Sequence, residues 1–320
     1  MLPTQKGSLK LFRFAGIDVY LHWSWFLLAV YGISLRQGQY SSMVWNVYEY
    51  LALFAIVLMH EFGHSLACRS VGGRADQIIL WPLGGVAYVD PPQRPGPVLW
   101  SIVAGPLVNV ILVPVLSVML LLSRSLGWPS IMPDTYKFIY SVWGLNLGLL
   151  TFNILPIFPL DGGQILRALL WFPLGRARSL ITASIIGFVG LAGLIALVAW
   201  DWFSASNTSE GGKQTSLTWP IILCVFVVMN CGRGLVAGLA MLRADNMPRR
   251  SEFACPACKA APPVGAFWVC GKCQKPFDTF ATGALCPQCG IQYPITGCPD
   301  CRVSSPIDQW VVAAPVPPKL

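Results

Sequence analysis

The sequence predicts an α-helical polytopic membrane protein of about six transmembrane helices with short membrane-surface β-strands, followed by a small cysteine-rich domain. Three observations predict it. The 320 residues are 55% hydrophobic and only 11% charged, with a mean hydropathy of +0.59, whereas an average soluble domain carries about 25% charged residues. Apolar stretches between Trp23 and Met241 approach or exceed the roughly 18–20 residues needed to cross a bilayer. Of eleven cysteines, eight fall between Cys255 and Cys301.

The N-terminal MLPTQKGSLK has no apolar core before a small-residue cleavage site, so it does not read as a signal peptide, and the first span doubles as the targeting signal. Residues 9–21 (LKLFRFAGIDVYL) are rich in β-formers around one glycine and predict one or two short strands at the membrane surface. The spans are expected at residues 23–35, 50–70, 99–122, 138–157, 180–200 and 217–241. Residues 78–89 (IILWPLGGVAYV) form a second strand-like run, interrupted by Pro82 and by Gly84 and Gly85, which permit a bulge or a close backbone approach. Residues 201–218 are polar and read as an external loop. The composition divides the chain into a membrane domain at 1–245, a linker at 246–254, the cysteine-rich domain at 255–301 and a Pro-rich, disordered tail at 302–320.

The net charge of +8 is distributed by side. With the N-terminus in the cytoplasm, the inside segments collect Lys6, Lys10, Arg13, Arg69, Arg74, Arg94, Arg167, Arg176, Arg178 and the basic residues of the tail. Only Arg36, Arg124, Lys137 and Lys213 fall outside. That asymmetry follows the positive-inside rule and puts both termini of a multi-pass cell-membrane protein in the cytoplasm. A nucleic-acid footprint would instead cluster on one soluble face.

The second span contains His60-Glu61-Phe62-Gly63-His64, an H-E-x-x-H pattern in an otherwise apolar helix. Two imidazoles four residues apart share a helical face, where one metal ion reaches both. Glu61 lies about 100° round the helix from His60, close to a metal-activated water without being a ligand. An ionisable group at membrane depth costs roughly 2.5–3.5 kcal/mol on insertion scales, so three of them in five residues need a common purpose. A catalytic zinc usually takes three protein ligands and keeps one position open. Asp161 is the candidate for the third, in Asn153-Ile-Leu-Pro156-Ile-Phe-Pro159-Leu-Asp161-Gly162-Gly163. Taken alone, Asp161 equally suits an N-cap for a helix over residues 162–172; beside H-E-x-x-H, the ligand reading prevails.

HEFGH, the N-x-x-P-x-x-P-L-D-G-G segment, and LWPLGGVA and AGPLVNV between them resemble the site-2 protease family of intramembrane zinc metalloproteases over about residues 9–243. The resemblance implies that His60, His64 and Asp161 bind the catalytic zinc and that Glu61 is the catalytic base. It further implies that Asn153 holds the substrate backbone or oxyanion, and that the strand around Gly84 and Gly85 pairs with an extended substrate. The expected activity is hydrolysis of peptide bonds in or near transmembrane segments by zinc-activated water, in regulated intramembrane proteolysis of single-pass membrane proteins. Helix-breaking residues near the cut should favour cleavage, because a helical substrate must unwind first. Asn109, in a helix opened by Gly105-Pro106, reads as a packing or helix–helix hydrogen-bonding residue. His22, beside Trp23 and Trp25, reads as part of an interfacial belt, with a place near the metal site as the alternative.

The eight clustered cysteines form four C-x-x-C pairs, Cys255/Cys258, Cys270/Cys273, Cys286/Cys289 and Cys298/Cys301. Each suits a zinc knuckle, and two knuckles make one tetrahedral thiolate site. The simplest grouping is sequential: Cys255, Cys258, Cys270 and Cys273 on one structural zinc, and Cys286, Cys289, Cys298 and Cys301 on a second. Interleaving is the alternative. The module resembles a double zinc ribbon, with disulfides disfavoured in a reducing cytoplasm. It suits a regulatory or protein partner rather than nucleic acid. Two other functions compete with proteolysis. A membrane zinc transporter needs ligands along a path, whereas here they gather at one place. A non-catalytic receptor binding through its zinc ribbons would be suggested by loss of Glu61 or Asp161, and both are present.

Overall fold

A computed structural model describes residues 7–36, 38–81, 84–206, 218–301 and 303–312. The chain divides into two compact units, Met1–Gly238 and Leu239–Leu320.

In the first unit, β1 (Ser8–Phe14) and β2 (Ile17–His22) form a hairpin. Helices α1 (Ser24–Leu35) and α2 (Met43–Ser70) follow, then β3 (Arg74–Trp81) and β4 (Gly84–Asp90). The four strands make one sheet in the order β1-β2-β3-β4, with β2 and β3 parallel and the outer pairs antiparallel. Strand periodicity sends Ile17 and Val19 of β2 and Ile78 and Leu80 of β3 into a common core with Trp25 of α1 and Val57 of α2. The sheet is thereby packed on the half of α2 that carries H-E-x-x-H, and β4 is left as an edge strand. The expected strand over residues 78–89 is two strands; Pro82 lies outside the described residues.

The rest of the unit is helical: α3 (Pro95–Ser125), a single turn α4 (Trp128–Ile131), α5 (Pro133–Ile154), α6 (Asp161–Ser206) and α7 (Thr218–Asp245), whose residues from Leu239 on count with the second unit. All six expected spans fall on helices, but among the described residues four are long and apolar enough to cross a membrane: α2, α3, α6 and α7. Helix α1 has only 12 residues, and α5 carries Asp134, Lys137, Asn146 and Asn153 in 22. Two boundaries differ from expectation. Gly105-Pro106 does not open α3 but lies within it, where a membrane helix tolerates proline. The span at 180–200 is the second half of α6, which breaks at Gly175 (φ 77°). Of the polar segment 201–218, residues 207–217 lie outside the described residues.

The second unit is built from four knuckles of one design. In each of the first three, the residue after the second cysteine has a positive φ: Lys259 (61°), Gln274 (56°) and Gly290 (71°). Its N–H donates to the carbonyl of the first cysteine at 2.9 Å, as Lys259 does to Cys255, Gln274 to Cys270 and Gly290 to Cys286. Two short hairpins support the knuckles: β5 (Trp268–Val269) with β6 (Pro276–Phe277), and β7 (Ile295–Gly297) with β8 (Ser304–Pro306).

The sequential grouping of cysteines is not what the structure shows. The outer pairs meet each other, with Cys255 Sγ 3.7 Å from Cys301 and Cys258 Sγ 3.8 Å from Cys298. The inner pairs form the other cluster, with Cys270 3.4 Å from Cys289 and Cys273 3.7 Å from Cys286. The reason is aromatic. Trp310 is fully buried against Phe280, which also packs on Phe253 and Trp268. Backbone bonds from Ala254 to Trp310 and from Val312 to Glu252 then close the two ends of the module together. For the same reason the tail expected to be disordered from residue 302 is folded through β8 and a 3-10 turn at Ile307–Trp310; residues 313–320 lie outside the described residues. The supposed linker is also part of the module, since Arg249 bridges to Pro263 and Phe253 to Val311.

Backbone hydrogen bonding from Cys273 and the Tyr293 hydroxyl, 3.1 Å away, hold the pKa of the Cys270 thiol down at about 5. All eleven cysteines are free of disulfides.

Candidate metal centre

The centre assembles where α2, α3 and the start of α6 meet. On α2, His60, Glu61 and His64 are 4%, 5% and 8% exposed. Between α5 and α6, Leu155 leaves the helical region and the chain turns through Pro156 and Pro159. This turn passes so close to the start of α6 that a Cβ on Gly162 would lie 2.2 Å from the Ile154 oxygen, and one on Gly163 2.4 Å from the Phe158 nitrogen. The two glycines thus allow the turn to double back and deliver Asp161. Its side chain is not an N-cap: Asp161 Oδ2 lies 3.0 Å from His60 Nε2 and 3.4 Å from His64 Nε2.

The two Nε2 atoms are themselves 3.0 Å apart. The remaining ring nitrogens are occupied, His64 Nδ1 donating to the Ser101 carbonyl at 2.9 Å and His60 Nδ1 meeting Asn109 Oδ1 at 2.6 Å. With both protons on Nδ1, two lone pairs and a carboxylate oxygen face one point, an arrangement that repels itself unless a cation sits there. Tetrahedral zinc with ligands at 2.0–2.1 Å holds them about 3.3 Å apart, which matches this donor set.

Helix α3 supplies the mating surface. It packs antiparallel on α2, and Ser101, Gly105 and Asn109, spaced by four, lie on one face opposite His64 and His60. Glu61 points to the sheet, where its Oε2 accepts the Ala87 N–H at 2.9 Å. That N–H therefore leaves β4 on the side away from β3, and by strand alternation so do those of Gly85 and Val89, while Gly84 faces β3.

The candidate residues thus separate. His60, His64 and Asp161 are brought together; Gly85, two residues from Ala87, lies on the free edge of β4. Asn153 is half-buried in the last turn of α5 and has no side-chain hydrogen bond among the described residues. His22 stays with the aromatic belt, its ring 5.7 Å from Trp23 and its Nδ1 bonded to Ser24. Sequence reasoning missed Ser101, Gly105 and Ala87, whereas Asn109 is a helix–helix hydrogen-bonding residue as expected, with Asn146 on α5 and His60 on α2 as its partners. The four-residue spacing of Ser101, Gly105 and Asn109, equal to that of the two histidines, was the available signal.

The sequence pattern of Peptidase family M50 matches residues 48–127 and 129–197, which include all three converging residues and Glu61. The chain is similar to a zinc metalloprotease of Methanocaldococcus jannaschii, 37% identical over 182 residues, covering 56% of this chain and 50% of that protein. A protein of Synechocystis sp. with zinc metalloprotease in its name is 32% identical over 241 residues, 71% of this chain and 59% of the relative. The chain therefore spans half to three fifths of these relatives. A solved site-2 protease from Methanocaldococcus jannaschii is 30% identical and overlaps 71% of this chain and 95% of that one, with a TM-score of 0.48.

Proposed function

Because the chain is an integral membrane protein belonging to the site-2 protease family, Peptidase family M50, we propose that it hydrolyses peptide bonds in or near the transmembrane segments of single-pass membrane proteins. The observation that carries this is the convergence of His60, His64 and Asp161 beside a buried carboxylate on an apolar helix. When bound there, zinc supplies a Lewis acid that brings the pKa of water toward about 7. Glu61 takes the proton of the attacking water and hands it to the leaving amine, with no acyl-enzyme. Asn153, without a side-chain hydrogen bond among the described residues, holds the substrate backbone or oxyanion. The edge of the strand that contains Gly84 and Gly85 receives the unwound substrate by β-augmentation through the outward groups of Gly85 and Val89, on either side of the Ala87 N–H that Glu61 accepts. Two further zinc ions are structural, one per cysteine cluster, and the ribbon module receives a regulatory protein. The basic asymmetry of the loops supports cytoplasmic termini in the cell membrane.

The test compares the full chain with Glu61→Gln. Both are expected to hold about three zinc ions, and turnover of a single-pass substrate should fall by about 10²–10⁴ in the variant. Two zinc ions in the parent, or equal cleavage by both, would overturn the assignment.

A second experiment addresses the strand. Proline at residue 89 removes an outward N–H other than the one Glu61 accepts and leaves the ladder to β3 intact, which an edge strand tolerates. Val89→Pro is expected to raise KM about fivefold through one lost substrate hydrogen bond. An unchanged KM counts against pairing at this edge.

A further inference from the structure

Asn109 and Asn146 are both completely buried between α2, α3 and α5, and neither packs as an apolar side chain would. Their hydrogen bonds form a chain whose direction can be read from one fixed end. Asn146 Nδ2 donates to the backbone carbonyl of Asn109 at 3.1 Å, and a carbonyl only accepts. The Asn146 amide is therefore oriented with Oδ1 toward Asn109, whose Nδ2 donates to it at 2.8 Å. Asn109 in turn must aim Oδ1 at His60 Nδ1, 2.6 Å away, which fixes the proton on Nδ1 and leaves the Nε2 lone pair facing Asp161 and His64. A leucine of similar size would fill the same space but could not impose this direction.

We propose that Asn109, locked by Asn146, is a positioning residue for the intramembrane metal site, selecting the tautomer and ring orientation of His60. Ser101 does the same for His64 through a main-chain carbonyl, so His60 is the ligand whose orientation depends on side chains. The pair also links α3 to α5, the helix that leads into the turn carrying Asp161, and so couples one ligand's orientation to the element that delivers another. The inference rests on the metal reading above.

The experiment measures zinc affinity of the full chain by chelator competition, with His60→Ala setting the baseline held by the cysteine clusters. Asn109→Leu is expected to weaken the intramembrane site by about 10–100-fold. Asn109→Asp, which keeps an acceptor for His60 Nδ1–H, should remain within a few-fold of the parent. Asn146→Leu should fall between them, since it removes the lock and not the acceptor. A purely structural role predicts the reverse order for the two Asn109 variants, because a buried charge disturbs packing more than leucine does. Parent-like affinity in Asn109→Leu overturns the proposal, as does an Asn109→Asp protein that melts like the parent yet binds as weakly as the leucine variant. A parent whose zinc content equals that of His60→Ala overturns the metal reading instead.

Discussion

A Gly105→Ala chain is expected to lose the metal at His60, His64 and Asp161, although the change adds one carbon to a residue that is not a ligand. The new Cβ would stand 2.2 Å from His64 Nε2 and 2.4 Å from its Cε1, far inside contact distance. The imidazole cannot swing away cheaply, because its Nδ1–H is bonded to the Ser101 carbonyl on the same helix. Helix α3 cannot retreat easily either: Gly63 of α2 lies so close that its own Cβ would meet the Ala104 oxygen at 2.6 Å. Zinc at this site should bind at least about 100-fold more weakly, the upper range for disturbing a group that orients a ligand. Cleavage should fall in parallel, while the zinc of the cysteine clusters remains. Parent-like zinc content and turnover would show that the two helices yield where the packing says they cannot.

The second large effect concerns the cysteine module. Structural zinc contributes roughly 10–16 kcal/mol to folding in small domains of this kind. Cys270→Ser removes one thiolate from the inner cluster and should release its ion, lowering the zinc count by one. The pattern of newly reactive thiols then distinguishes the pairings. Nested sites expose Cys273, Cys286 and Cys289 to alkylation and leave Cys255, Cys258, Cys298 and Cys301 protected. Sequential sites would expose Cys255 and Cys258 and spare Cys286 and Cys289. Mass spectrometry of the alkylated chain reads the difference directly.

These two cases mark where local pattern stops being informative. The chemistry of H-E-x-x-H was legible because both histidines lie on one helix, and helical spacing alone puts them on one face. The knuckles were legible for the same reason, each being a five-residue loop with its own hydrogen bonds. Which knuckle faces which was not, because it depends on Trp310, Phe280 and Phe253 packing across the module. The tail was misjudged on the same ground: one buried tryptophan outweighs a proline-rich composition. Asn109 bonds neighbouring helices as expected, but that one partner is His60 was not legible, because an asparagine in an apolar helix has the same appearance whichever side chain it meets.

By itself, then, the sequence determined the apolar helices, the two strand-forming segments, the paired imidazoles and the eight thiols, all of them consequences of spacing along a continuous segment. Only the tertiary structure decided that α3 mates with α2 through Ser101, Gly105 and Asn109, that Glu61 meets the free edge of β4, and that the ribbons nest. The physical reason is that those outcomes are set by close packing and hydrogen-bond direction between segments distant in the chain, where a single carbon or the orientation of one amide settles the result.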